Sequence, residues 1–363
     1  MTRIAPPMIA LALAAGLACA PAAARDMRLI AIDVEGGAAN LYITPGGKSL
    51  LIDTGFPTGM GGPRPAPGQA RPPPGTSSAQ RIVAAARAAG LSRIDHVLVT
   101  HYHADHVGGV FDLIPLIEIG EFIDHGPNRE MPPPGTTPGP FAPVNSYPRY
   151  EAAIAGKPRR IMKAGDRLMI DGLEMTAVAS DGDVLPREGR AGTTCEAAVT
   201  EERDGGEENW RSLGVLLRWG KARLLALGDA TLRLENRLVC PRDRVGRVDL
   251  MFASNHGSEN AGSEPLYRTL RPRVVIVSNG PTKGGDGSVL TRLGAMPDMA
   301  LWQLHFANRS PEANTAPERI ANTDAATDHN LVVTVSDTGA IAIANPRTGV
   351  TTRYSRRAAA GGG

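Results

Sequence analysis

Aromatic side chains are scarce in this chain, 4% of 363 residues, too few to build stacking platforms for single-stranded nucleic acid. An excess of one charge is missing as well. The 39 basic side chains face 37 acidic ones, for a formal net charge of +2, so no polyanion-binding surface is implied. Beyond residue 18 no apolar run approaches the roughly 20 residues that span a bilayer. Cysteine is rare, with three in the whole chain and none at metal-type spacing. Glycine and proline are plentiful at 42 and 30 residues, which points to long loops. A hydrophobic share of 42% argues against wholesale disorder, and the length suits one large or two ordinary domains.

Residues 1–24 read as a secretory signal. Arg3 supplies the positive start, residues 8–18 are a short apolar run, and Ala22, Ala23 and Ala24 offer a cleavage site before Arg25. A lipoprotein signal at Cys19 is the rival reading, although Gly16 stands where a leucine is expected. The mature chain is therefore expected in the periplasm or secreted, without a membrane span. Cys195 and Cys240 remain after export, and an even pair in an oxidising compartment either bridges or stays as two buried thiols. We expect the bridge.

Residues 100–109, T-H-Y-H-A-D-H-V-G-G, concentrate ligand-type side chains: His101, His103, Asp105 and His106. The stretch before them, residues 94–99, is β-branched and apolar and reads as a buried strand. His101 and His103 then share one side of an extended segment, and Asp105 and His106 follow where the chain turns. Gly108 and Gly109 let the backbone pass close to whatever the side chains hold. Imidazoles and a carboxylate converging at a strand's end suit zinc or a similar divalent ion.

This motif, H-x-H-x-D-H, resembles the signature of the metallo-β-lactamase-fold hydrolases, and the resemblance extends over nearly all of the mature chain. Its closest flavour is similar to the branch that includes the periplasmic hydrolase domain of competence-type DNA-uptake proteins. That branch has a glycine-containing turn after its first strand and a strand ending in D-T-G. Residues 33–37 and 53–55 resemble these features. On that resemblance Asp53 lies at the rim of the metal pocket and holds a loop or a ligand histidine by hydrogen bond; the alternative is a plain turn aspartate. The start Asn209-x-x-Ser212-Leu213 and the finish Gly228-Asp229 of a predicted hairpin also resemble the branch, making Asp229 the carboxylate that bridges two metals. His256, before Gly257-Ser258, becomes the last ligand of the second metal. The branch usually has two adjacent histidines there, and this chain has Asn255 in the first place.

Another departure lies at residues 180–183, where most of the superfamily supplies a third histidine and this chain reads S-D-G-D. Asp181 either stands in as an oxygen ligand or is a turn residue, and we expect the turn. His125, His305 and His329 read as structural. The expected elements include strands at 27–34, 40–44, 49–53, 119–124, 167–170, 173–179, 213–219, 223–227, 249–253, 273–278, 301–304, 331–335, 341–344 and 350–354. Helices are expected at 78–89, 110–117 and 264–270. Proline-rich residues 63–75 and 128–148 read as loops, the latter covering the active-site mouth, and residues 204–208 as polar loop.

Two groups of strands ending in ligand loops and separated by helices fit an α/β architecture, a four-layer αββα sandwich, as the resemblance implies. The expected domain covers residues 25–355, with a disordered tail at 356–363. The expected ligands are His101 and His103 for a first ion and Asp105, His106 and His256 for a second, with Asp229 linking them. Asp105 and Asp229 are the expected catalytic carboxylates. About one to two Zn2+ ions per chain would lower the pKa of a bound water to about 7 and supply hydroxide. The expected function is an exported metal-dependent hydrolase acting on a phosphodiester or small ester. A β-lactam or lactone hydrolase and a non-catalytic binding protein are the rivals.

Overall fold

Alternate residues of the central strands bury opposite faces, and this sets the layers. In the strand Asp26–Ala31, Leu29 and Ala31 join one apolar cluster while Ile30 joins another. Leu50 and Leu51 divide in the same way. Across the molecule Leu224, Leu250 and Val274 share the first cluster with Leu29, whereas Leu225, Met251 and Val275 belong to a third. Three apolar interfaces require four layers, so the chain folds as an αββα sandwich, as expected. The computed structural model describes residues 26–61, 76–186, 189–191, 195, 207–324 and 327–356. The expected signal, the 63–75 loop and residues 357–363 of the tail lie outside them.

Each large sheet has nine strands. The first runs Val350–Tyr354, Ile341–Asn345, Leu331–Ser336, Asp26–Ala31, Asn40–Ile43, Ser49–Ile52, Arg93–Leu98, Glu118–Asp124, Arg159–Ile161. The second runs Ile320–Asn322, Ala300–His305, Val274–Val277, Leu250–Phe252, Ala222–Ala226, Gly214–Trp219, Leu173–Ser180, Arg167–Ile170, with Asp183–Val184 paired to Leu173–Ser180. From Ser49–Ile52 to Arg159–Ile161 the first sheet is parallel, and from Ala222–Ala226 to Ile320–Asn322 so is the second. Ligand-bearing loops follow the carboxyl ends of strands within these parallel runs.

Helix Ser78–Ala88 covers the first sheet's outer face. Ser77 and Gln80 form a capping box at its start, worth about 1 kcal/mol, and Gly90 follows its end at φ +87°. Helices Leu232–Val239, Glu264–Leu270 and Gly287–Gly294 cover the second sheet. Two loop expectations are corrected. Residues 143–153, expected in part as loop, form the helix Pro143–Ala153: Pro143 takes the N-terminal position where its missing N–H costs nothing, and Pro148 is tolerated inside. The expected polar loop at 204–208 ends in a short helix, Glu207–Trp210, whose Glu208 is fully buried because its carboxylate finds partners there. A disulfide joins Cys195 to Cys240 with the Cα atoms 5.8 Å apart, as expected.

Candidate metal centre

The strand Arg93–Leu98 lies between two parallel neighbours, so its continuation is forced inward and Thr100 and His101 are fully buried. His103 then caps a one-turn helix, Ala104–Val107, that carries Asp105 and His106. Gly109 is needed at the next step, since a Cβ there would meet the Thr54 carbonyl oxygen at 2.0 Å. The close approach is thus to the D-T-G loop, not to a ligand.

From the second sheet, Asp229 follows the strand Ala222–Ala226, and His256 follows Leu250–Phe252 in a turn where Asn255 and His256 both take positive φ. A Cβ on Gly228 would come within 2.8 Å of Thr100, so glycine lets the two sheets' loops touch. One ligand atom from each of Asp105, His106, Asp229 and His256 then lies within 4.8 Å of the others. His106 Nε2 is 3.0 Å from Asp229 Oδ1, 3.1 Å from His256 Nε2 and 3.3 Å from Asp105 Oδ2. His256 Nε2 is 2.9 Å from Asp105 Oδ2 and 3.3 Å from Asp229 Oδ1.

Both imidazoles are oriented from behind. Asp53, at φ +62°, accepts from the Thr100 N–H and O–H and from His106 Nδ1, each at 2.8 Å. The Ser278 carbonyl accepts from His256 Nδ1 at 2.9 Å. Each partner only accepts, so each Nδ1 carries the proton and each Nε2 lone pair faces the cluster. Asp53 therefore holds both a loop and a histidine.

Charge within the cluster follows from this crowding. Burial opposes a proton on His106, but the Asp229, Asp105 and Asp53 carboxylates outweigh it and raise its pKa well above the ordinary value. Burial likewise opposes charge on Asp229, yet His106 and His256 hold its pKa far below the usual range. Asp105 is also depressed well below it, with burial overcome by Lys283 and His106. A field that draws a proton onto His106 favours a cation at the same place. Two imidazoles and two carboxylates are a donor set that fits a divalent metal.

His101 and His103 stand beside this group rather than within it. His101 Nε2 lies 4.0 Å from Asp229 Oδ2 and has no hydrogen-bond partner among the described residues. Burial, with His106 nearby, lowers the His101 pKa well below the ordinary value. His103 Nε2 faces Glu130 Oε2 at 3.6 Å; Glu130 outweighs burial and raises its pKa. Asp181, at φ +47°, turns its carboxylate to Arg211 at 2.8 Å and Arg129 at 3.4 Å, in keeping with a turn residue. His125 pairs with buried Glu208 at 3.2 Å and His305 with buried Asp33 at 2.7 Å. Asn255 donates its backbone N–H to Gly228, and the His329 N–H reaches Asn322.

The sequence reading missed Lys283 and Glu130. Lys283 Nζ pairs with Asp105 Oδ2 and donates to the Gly36 carbonyl at 3.0 Å. Its only sequence signal is a lysine in a glycine-rich turn after a buried strand. Glu130 lies in a proline-rich loop.

The metallo-beta-lactamase superfamily matches residues 34–260, more than half of the chain. Recombination protein 2 of Haemophilus influenzae is 35% identical over 89 residues, in keeping with the branch that the sequence resembles. That match covers 24% of this chain and only 11% of the relative. Among solved structures, CmlA, a diiron beta-hydroxylase from Streptomyces venezuelae, is 18% identical over 71% of this chain and 45% of that one, with TM-score 0.38. A diphosphatase from the PhnP family is 14% identical over 76% and 94%, with TM-score 0.38. A Cronobacter sakazakii metallo-beta-lactamase motif mutant is 16% identical over 60% and 71%, with TM-score 0.35. With its motif, its four layers and its donor cluster, the chain belongs to the metallo-beta-lactamase superfamily and carries a site fit for a divalent metal.

Proposed function

We propose that this chain is an exported, zinc-dependent hydrolase of small phosphodiesters, with one catalytic domain over residues 25–355. The observation that carries the reading is the convergence of Asp105, His106, Asp229 and His256 with both histidine Nδ1 atoms held from behind. These four would hold one ion, and Asp229 Oδ2 faces away toward His101. When bound, a divalent ion supplies Lewis-acid polarisation and a nucleophilic water at neutral pH. Asp53 and Ser278 keep the two Nε2 atoms aimed at the ion, and Asp105 and Asp229 supply the negative charge that retains it.

Lys283 supports the phosphoryl ester over the carbonyl ester. Its ammonium lies against Asp105 and the Gly36 carbonyl with 39% of the side chain exposed, so its third N–H is left to offer an incoming group. A fixed cation beside the reacting centre favours an anionic phosphoryl group over a neutral carbonyl ester. Zinc fits the imidazole and carboxylate donors and needs no redox partner. Export rests on Arg3, the apolar run 8–18 and the small residues 22–24, and the Cys195–Cys240 bridge suits an oxidising compartment.

A panel assay on zinc-loaded protein tests the reading. It compares bis(para-nitrophenyl) phosphate, para-nitrophenyl acetate, a chromogenic β-lactam and a simple lactone. The diester should turn over best, and Lys283→Ala should raise its KM several-fold while sparing the neutral acetate. Preferential β-lactam or lactone turnover would favour the rival hydrolase reading. No turnover of any substrate by protein with full zinc would leave a binding protein.

A further inference from the structure

His101 Nε2 is fully buried, has no hydrogen-bond partner among the described residues, and lies 4.0 Å from Asp229 Oδ2. The other carboxylate oxygen, Oδ1, approaches His106 at 3.0 Å and His256 at 3.3 Å. The His103 ring stands edge-on to His101 with centroids 4.8 Å apart, so the two imidazoles border the same space. Across from His103, Glu130 Oε2 stands 3.6 Å from Nε2. Two ligands of a tetrahedral ion bound at about 2.0–2.2 Å are themselves separated by roughly 3.4 Å. The 3.6 and 4.0 Å separations are close to that span.

Glu130 is braced. Its Oε2 accepts the Glu208 backbone N–H at 3.0 Å. The Glu208 carboxylate in turn accepts the backbone N–H of Tyr102 at 3.3 Å and of Arg129 at 3.0 Å, and faces His125 at 3.2 Å. Tyr102 is the residue between the two histidines, so the brace ties the Glu130 loop to the motif itself. The side chains of His103 and Glu130 are each 24% exposed, which leaves the place open to an ion and to substrate.

We infer that Glu130 is a metal ligand, completing the first ion's site with His101, His103 and Asp229 Oδ2. This rests on the metal-dependent reading above and adds a donor from a loop that the ligand motif does not contain. Ordinary pairing would explain Glu130 facing His103. It leaves the buried, unpartnered His101 Nε2 unexplained, whereas an ion uses both. Asp181 is not available for the role, since Arg211 and Arg129 hold its carboxylate.

The test is a Co(II) and Zn(II) titration of metal-free mature protein by calorimetry and visible absorption, with stoichiometry as the readout. Wild type is expected to take two ions. Glu130→Gln keeps an oxygen for the Glu208 N–H, so the brace and fold survive, as circular dichroism would verify. It should keep the tighter ion and lose about 10-fold or more in affinity for the other, because a neutral amide oxygen replaces a charged carboxylate donor, a change at least as costly as losing a ligand's outer support. His103→Ala should match it, and Asp181→Ala should titrate like wild type. Two ions bound with unchanged affinities in Glu130→Gln would overturn the assignment. So would one ion in both wild type and Glu130→Gln, an outcome that leaves the proposed hydrolase intact. No ion in wild type would overturn the metal-dependent reading as well.

Discussion

Asp53→Asn separates the orienting role of Asp53 from its place in the fold. Asparagine matches aspartate in size and tolerates the positive φ of 62° at this position, so the backbone need not move. The amide carbonyl can still accept the Thr100 N–H, now held at 2.8 Å by Oδ1. An amide nitrogen then replaces Oδ2, which accepts from both the Thr100 hydroxyl and His106 Nδ1, each at 2.8 Å. The hydroxyl can rotate and accept. The imidazole can accept only by moving its proton to Nε2, which removes the lone pair from the cluster side. Loss of such an orienting partner weakens metal binding by about 10- to 100-fold, or roughly 1.4–2.8 kcal/mol. The metal-free fold should lose about 1.5–3 kcal/mol, the range for a hydrogen bond to a charged group. Competition against a chromophoric zinc chelator at neutral pH measures the first quantity, and urea unfolding in chelator the second. Zinc affinity equal to wild type in a folded Asp53→Asn protein would refute the claim that Asp53 sets the His106 tautomer.

Asp181→Ala should leave metal content and turnover alone and cost at most about 1 kcal/mol, because the carboxylate is partly exposed and serves only two arginine pairs; loss of an ion in that variant would restore it as a ligand. Asp229→Ala is the counterpart, expected to lower metal content sharply in elemental analysis, since Asp229 faces His106, His256 and His101. Reducing the Cys195–Cys240 bridge, whose ends are 45 residues apart, should cost up to about 4 kcal/mol in the chain-entropy account; two free thiols by mass spectrometry of unreduced protein would contradict the bridge. Arg81→Met should destabilise by about 3 kcal/mol, because it strips an ion partner 2.9 Å from fully buried Asp33 and leaves His305 as its remaining ion partner among the described residues. Burial opposes ionisation of Asp33, but His305 and Arg81 outweigh it and depress its pKa. Its stabilising contribution is therefore present above the ordinary aspartate pKa and lost as pH falls through the depressed value. The variant should unfold at a higher pH on acidification, and an unchanged acid midpoint would count against the pairing.

Local chemistry made much of this chain readable. The strand into His101, the turn at Gly108 and Gly109, and the helix Glu264–Leu270 follow from β-branched runs, glycine and a serine cap, all within a few residues. The six ligand candidates were legible because the motif is compact and because Asp229 and His256 each follow a short apolar strand. Their grouping, Asp105, His106 and His256 with Asp229, was legible through the family resemblance and not through local spacing. His106 meets His256 across 150 residues, and only the packing of two sheets decides that. Lys283 reaches Asp105 over 178 residues from an unremarkable turn. Glu208 looked like surface, yet the backbone N–H groups of Tyr102 and Arg129 and the His125 ring make it a buried acceptor. Prolines hid the helix Pro143–Ala153, since its start uses the one helical position where proline is favourable.

Metal content of the purified mature protein tests the central claim most directly. Inductively coupled plasma analysis after growth in metal-replete medium should find at least about one zinc-type ion per chain, as four converging donors require. The ion should be retained through dialysis and lost on Asp229→Ala. A folded wild-type chain that carries no divalent ion, and takes none up when zinc is supplied, would contradict the account.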